Sequence, residues 1–211
     1  ALLPMDAPIS IAEEDIDHLK NTRSRLGVGV TLTREELLQL ALIASENRAA
    51  SALARNYPGG LYAFIQAMNK KAQMLGMRST YFADATGLDS ANTSNAEDLV
   101  RMVSAAYAYP EIRQVSTRAS TEARLNGRQH ALNFNNTNVL VKHADWHIGL
   151  SKTGFINEAG RCLVMQAEIA GQPMIIVLLD AVGKKNRLGD ANRIRKWLEQ
   201  KITTFASNLN S

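Results

Sequence analysis

Residues 146–182 read WHIGLSKTGFINEAGRCLVMQAEIAGQPMIIVLLDAV. Three runs rich in β-branched and large apolar residues, 146–156, 161–169 and 173–182, are separated by only a few residues, 157–160 and 170–172. Connections this short cannot house the crossover that parallel pairing needs, so the spacing predicts an antiparallel meander. Inside the first strand lies Lys152-Thr153-Gly154, a charge and a hydroxyl beside a residue with no side chain. Gly154 leaves room for another backbone, so an extended peptide can dock along this strand by strand addition. The bland reading of the same three residues is a solvated strand end before a tight turn.

Upstream of the strands the apolar period becomes helical. Thr33 followed by Glu36 forms a capping box that opens a helix with Leu37, Leu40 and Ala41 on one face, running to about Ala44. The pattern resumes over 47–55, and Pro58-Gly59-Gly60 turns the chain into a third helix over 61–75, closed by Gly76. Ser45-Glu46-Asn47 thus falls at a helix–helix junction. The loop-like stretch 81–93 precedes a second capping box, Ser94 with Glu97, and a helix to about Tyr107. Asn126-Gly127 signals a hairpin between 121–125 and 128–134. A last amphipathic helix is expected over about 190–205, with Ile194, Trp197, Leu198 and Ile202 along one side. The fold class is therefore α+β, one domain over 1–211, with a helical lobe over about 33–117 and a sheet with its C-terminal helix over about 118–206.

Composition narrows the function classes. With 45% apolar residues, 211 residues can build a normal core, and no stretch is long and apolar enough to cross a membrane. A net charge of +4 suits an anionic polymer without specifying one. The basic cluster Lys184, Lys185 and Arg187 lacks interleaved aromatic residues, so nucleic-acid binding is not expected, and a solvated loop is. Cys162 is the single cysteine and sits in a strand pattern, where a small apolar role is expected. His18, His130, His143 and His147 show no metal-ligand spacing, so no metal or other cofactor is expected. The chain starts with Ala1 and no leader precedes it, which reads as a processed or truncated chain.

Leu42-Ile43-Ala44-Ser45-Glu46-Asn47-Arg48-Ala49-Ala50 and Tyr57-Pro58-Gly59-Gly60 resemble the low-molecular-weight penicillin-binding proteins, the serine-type D,D-peptidases of peptidase family S11. Asn136-Thr137-Asn138, Lys152-Thr153-Gly154-Phe155, Asn157-Glu158-Ala159-Gly160 and Leu179-Asp180-Ala181 extend the resemblance over nearly the whole chain. Phe155 and Glu46 favour the D-alanyl-D-alanine endopeptidase branch, since D,D-carboxypeptidases commonly carry His and Gly there.

The resemblance implies a penicillin-binding-protein transpeptidase/β-lactamase-like fold lacking its N-terminal part. It also implies a periplasmic hydrolase that opens D-Ala-containing peptidoglycan crosslinks through an acyl-enzyme, with peptidoglycan peptides and β-lactam antibiotics as partners. By the same resemblance Ser45 relays a proton to the leaving amine, Asn47 bonds the catalytic lysine and the substrate amide, and Lys152 supplies positive potential. Thr153 binds a carboxylate or the substrate backbone beside Gly154, and the Phe155 N–H donates to the oxyanion. The nucleophile and its base, a Ser-x-x-Lys, occur nowhere in these 211 residues. That motif is expected on an N-terminal segment before Ala1, attached or as a separate peptide, and the chain alone is expected to be unstable and inert.

Other readings stand beside this one. A D-alanyl-D-alanine carboxypeptidase is the runner-up, and a nucleophile-free fragment that only binds cell-wall peptide is another. A hydrolase using Cys162 or Ser151 with a histidine would need a histidine within hydrogen-bond reach. Ser-x-Asn is weak alone, since Ser90-Ala91-Asn92 matches it in a loop where a turn's chemistry suffices. Glu46 either tunes the charge of the pocket or faces solvent at a helix start.

Overall fold

A computed structural model describes residues 3–125, 130–183 and 185–209. Two short strands, β1 (Pro8–Ser10) and β2 (Thr31–Thr33), pair antiparallel ahead of the first helix, a pairing too short to leave a sequence signal. Helices α1 (Arg34–Ile43) and α2 (Asn47–Arg55) follow. At the start of α1 the Thr33 side chain accepts from the Glu36 N–H while the Glu36 carboxylate accepts from the Thr33 N–H, so the predicted capping box is formed. Leu37, Leu40 and Ile43 of α1 are fully buried, each side chain contributing about 1.5–3 kcal/mol by leaving water. Ala49 and Ala52 of α2 let the two helices approach closely.

Helices α3 (Gly60–Met74), α4 (Ala96–Tyr107) and α5 (Pro110–Ser116) complete the helical part. The cap of α4 is Asn95 rather than Ser94. The Asn95 side chain accepts from the Asp98 N–H at 2.8 Å, while the Ser94 hydroxyl pairs with Thr80. Strands β3 (Ser120–Ala123) and β4 (Leu132–Asn135) pair antiparallel, and the Asn126-Gly127 turn expected between them lies outside the described residues. Ala123, Leu125 and Phe134 bury themselves with α1, α2, β1 and β2 in a first core, so this ribbon packs with the helices and not with the large sheet.

The meander is present as β5 (His147–Ile156), β6 (Gly160–Ile169) and β7 (Gln172–Ala181), in the order β5-β6-β7 and antiparallel throughout. Helix α6 (Asn186–Leu209) begins four residues before the expected start. Leu188 and Ala191 join Leu163, Met165, Ala167, Ile169 and Ile176 in a second core, and that burial outweighs the helix-weakening Gly189. Helix α6 covers one face of the sheet, and α4 packs against β6 and β7 from the helical side.

One irregularity positions the site. Between Ile148 and Leu150 the β5-β6 register shifts, leaving Gly149 as an extra residue on β5. Side chains alternate along a strand, so one inserted residue reverses the faces that follow. Ile148, opposite Ala167, packs in the α6 core, whereas Lys152, opposite Val164, faces the helical lobe. A side chain at 149 would place its Cβ 2.6 Å from the Tyr107 ring and into the Gln166 amide, so glycine fits there without displacing a neighbour.

Candidate active site

Ser45 lies where α1 ends and α2 begins. The Leu40 carbonyl accepts from both the Ala44 and Glu46 N–H groups, at 3.1 and 3.2 Å, which folds the chain sharply back. To do so Ser45 adopts φ +54°, the left-handed region, at a cost of about 1–2 kcal/mol for a residue with a Cβ. The strained turn points its hydroxyl across the boundary between the helical part and the sheet.

On β5 the Lys152 ammonium donates to the Ser45 hydroxyl and to the Thr153 carbonyl, the latter at 2.7 Å. The Thr153 hydroxyl donates to Thr137 Oγ1 at 2.7 Å, and Thr137 Oγ1 lies 3.4 Å from Ser45 Oγ. Residues 107 positions apart in the chain, Lys152 and Ser45, are thereby in direct contact. Burial, and after it the charge of Arg187, pulls the Lys152 pKa from 10.5 down to about 8. Lys152 remains mostly protonated at neutral pH.

The backbone around Thr137 is anchored on both sides. The Asn136 amide donates to the carbonyls of Ser116 and Arg118 at 2.9 and 2.8 Å, and its oxygen accepts from the Asn138 N–H. The buried Asn138 donates to Ser151 Oγ at 2.8 Å and accepts from the Leu140 N–H. The Thr137 N–H itself donates to the Ile43 carbonyl in the last turn of α1. Asn136-Thr137-Asn138 thus ties α1, α5 and β5 together at the point where their hydroxyls meet.

Of the residues expected in the site, Ser45, Lys152 and Thr153 converge. Asn47 does not join their hydrogen bonds. Its amide donates to Thr22 Oγ1 at 3.1 Å, and it lines a neighbouring cavity of about 360 Å³ with Ser51, Leu61 and Leu88. Gly154 and Phe155 are exposed on β5, with the Arg161 guanidinium 4.2 Å from the centre of the Phe155 ring. Glu46 is partly exposed at the N-cap of α2 and makes no side-chain capping bond.

Arg187 departs from the expected solvated loop. It is partly buried at the start of α6, where Nη1 donates to the Cys162 carbonyl at 3.3 Å. Burial, then the charge of Arg161, lowers its pKa from the usual arginine value. The neighbouring Lys184 lies outside the described residues. Ser151 is buried against Asn138, and the Cys162 thiol points to the Ala159 carbonyl. Among the described residues neither has a hydrogen bond to histidine, so the geometry gives no support to a Cys or Ser nucleophile at these positions. No group of three or more His, Cys, Asp or Glu among the described residues is placed to hold a metal ion.

Thr137 is the participant that sequence reasoning left without a role. Its sequence signal is its place in Asn136-Thr137-Asn138, one of the stretches that carry the resemblance, which names no partner; the contact with Ser45 and Thr153 forms between separate segments of the chain.

Residues 3–183 match the family model described as Peptidase S11, D-alanyl-D-alanine carboxypeptidase. The chain belongs to this peptidase family. It is similar to the D-alanyl-D-alanine endopeptidase of Pseudomonas aeruginosa, 45% identical over 93% of this chain, and to that of Escherichia coli, 44% identical over 94%. The chain spans 64% of the length of each of these two relatives. Among solved structures it is similar to the Streptomyces K15 DD-transpeptidase, with a TM-score of 0.84 and 28% identity, covering 93% of this chain and 80% of that one. A D-alanyl-D-alanine carboxypeptidase from Mycobacterium tuberculosis gives a TM-score of 0.74 at 26% identity, covering 88% and 69%. The fold is thus that of the penicillin-binding-protein D,D-peptidases, with the antiparallel sheet and flanking helices expected.

Proposed function

We infer that this chain forms most of the catalytic domain of a periplasmic serine D,D-peptidase that opens D-Ala-containing peptidoglycan crosslinks and is acylated by β-lactams. The observation that carries the reading is the Lys152 ammonium on the Ser45 hydroxyl, the pairing that proton delivery to a leaving amine requires. Relatives from two species that carry the name D-alanyl-D-alanine endopeptidase favour that branch over the carboxypeptidase one. Among the described residues no helix is long and apolar enough to cross a membrane.

In this reading a serine of a Ser-x-x-Lys segment attacks the carbonyl that follows D-Ala, and water later hydrolyses the acyl-enzyme. Ser45 hands a proton to the departing nitrogen as the C–N bond breaks. Lys152 and Arg187 supply positive potential that attracts a substrate carboxylate, and the desolvated position of Lys152 makes its charge more effective there than in bulk water. Thr153 releases Thr137 to bind that carboxylate or the substrate backbone. Gly154 keeps the strand open to an extended peptide, the Phe155 N–H serves the oxyanion, and Asn47 turns from Thr22 to the substrate amide.

The test is denaturing mass spectrometry of the full-length protein after incubation with benzylpenicillin. One covalent adduct, mapped to a serine of a Ser-x-x-Lys, is the expected result. A protein that takes no adduct, yet retains cell-wall peptide in a pull-down, would replace this reading with that of a binding module.

A further inference from the structure

Four residues form a ring at the site, closed through the Thr153 backbone carbonyl. Lys152 donates to Ser45 and to the Thr153 carbonyl, Thr153 donates to Thr137, and Thr137 lies beside Ser45. Hydrogens in such a ring can be counted. A threonine or serine hydroxyl has one proton and two lone pairs, and an ammonium can only donate. Thr137 receives the Thr153 proton on one lone pair, which leaves its own proton to be placed. Directed at Ser45, it fills the second lone pair of that oxygen, the first being taken by Lys152. Of the three hydroxyl hydrogens, the Ser45 proton is then the one with no partner inside the ring.

From this count we propose that Thr137 is a positioning residue that aims the Ser45 proton out of the ring and at the departing nitrogen. The proposal rests on the D,D-peptidase reading and adds a residue to it. When the amide C–N bond breaks, its electron pair stays on nitrogen and takes the Ser45 proton. The oxygen left behind is held by two donors, the Lys152 N–H and the Thr137 O–H, until it regains a proton from the general base. The proton count is that of ordinary acyl transfer. The proton lost by the nucleophile ends on the leaving amine, with Ser45 as its last carrier. The rigid mount of Thr137 suits this task, since Asn136 and Asn138 anchor the backbone on either side of it, and its own N–H is bonded to Ile43.

The same ring explains a coupling. While Thr153 donates to Thr137 its hydroxyl proton is unavailable to a carboxylate. A bound carboxylate that draws the Thr153 proton away leaves Thr137 with Ser45 as its remaining hydroxyl partner, so substrate binding tightens the aim of Ser45.

The test compares two substrates with the same acyl half in the full-length protein: a D-Ala-D-Ala peptide, and a thioester analogue whose thiolate leaves without needing a proton. Thr137→Val is expected to lower kcat for the peptide about 10- to 30-fold, a fraction of the usual range for general acid catalysis, and to change thioester turnover less than about threefold. Thr137→Ser, which keeps the hydroxyl, is expected to restore peptide turnover. Equal partial losses on both substrates in a valine variant that keeps measurable turnover, or none on either, would overturn the proposal. If the valine variant loses both activities, Thr137→Ala decides. A loss confined to the peptide upholds the proposal and a loss shared by both substrates ends it. A wild-type protein inactive on both substrates and unmodified by benzylpenicillin would instead remove the D,D-peptidase reading, and the role of Thr137 with it.

Discussion

Ser45-Glu46-Asn47 and Ser90-Ala91-Asn92 share one three-residue pattern, but their surroundings in the fold differ. Ser45 sits in a left-handed turn between two helices and receives the Lys152 ammonium from a strand on the far side of the site. Ser90 is exposed in a loop closed by the Tyr81–Thr93 bridge. There Asn92 does the structural work. Its oxygen accepts from the Ala83 and Asp84 N–H groups at 2.8 and 3.2 Å, and its amide donates to the Asp84 carboxylate. Asp84 accepts further bonds from Thr86 and Gly87. Burial opposes ionisation of this carboxyl, but the hydrogen bonds from Thr86 and Asn92 prevail and keep its pKa below the ordinary value. The comparison teaches that a short polar motif acquires chemistry from the partner that reaches it. Where the only partners are neighbours in sequence, the same residues staple a loop.

The largest expected contrast is in activity. In the full-length protein Ser45→Ala should slow acylation by benzylpenicillin about 10²- to 10³-fold, the scale of a lost proton donor, while Ser90→Ala leaves it within about twofold. Stopped-flow acylation rates check both. Comparable losses would mean that the two motifs differ less than their geometry suggests.

The next prediction uses pH to separate Ser45-Glu46-Asn47 from Ser90-Ala91-Asn92. In the proposed D,D-peptidase reading it is the charged form of Lys152 that attracts a carboxylate, so acylation should fall about tenfold per unit above a pH of about 8. The stability contribution has the opposite sign. Because the folded pKa of Lys152 lies below its unfolded value of 10.5, the cost of burying its charge is fully present below about pH 8. It is relieved as pH rises toward 10.5. Activity is therefore expected to fall while this residue's contribution to stability improves. Parallel acylation and urea-denaturation series from pH 7 to 10 would reveal it. A decline in activity that tracks unfolding would remove Lys152 as its cause.

The smallest effects concern stability alone and carry opposite signs. Asn92→Ala leaves two backbone N–H groups without their acceptor and should cost about 1–3 kcal/mol in denaturant titration. Ser45→Gly relieves the left-handed strain and should stabilise by about 1 kcal/mol while removing the hydroxyl. A destabilised Ser45→Gly would show that the bonds of this hydroxyl outweigh its backbone strain.

Much of this architecture was legible before any coordinates. The Thr33–Glu36 box, the start of α2 at Asn47 and the three strands around Lys152 all follow from interactions between residues close in sequence. The cap at Asn95 was missed by one residue because two adjacent polar side chains could each have served, and the choice fell to whichever was free of Thr80. Helix α5 opens on Pro110 at its first turn, a signal that was present but brief. Of the site, the residue types were readable and the partners were not. Nothing local told that Asn47 would face Thr22 or that Arg187 would tuck against Cys162.

The sequence by itself determined the helices other than α5, the antiparallel meander and the positions of Ser45, Lys152 and Thr153 along the chain. Capping, apolar periodicity and short connections act over a few residues and leave their mark in the order of amino acids. Only the tertiary structure decided which way those residues point. The extra Gly149 on β5 turns Lys152 to the helical side, and the strained turn at Ser45 brings its hydroxyl within reach. Thr137, held by two buried asparagines, meets both strand and turn. Register, left-handed backbone and contacts across about a hundred residues are settled by the packing of whole segments, and a one-residue shift in any of them would separate the same side chains.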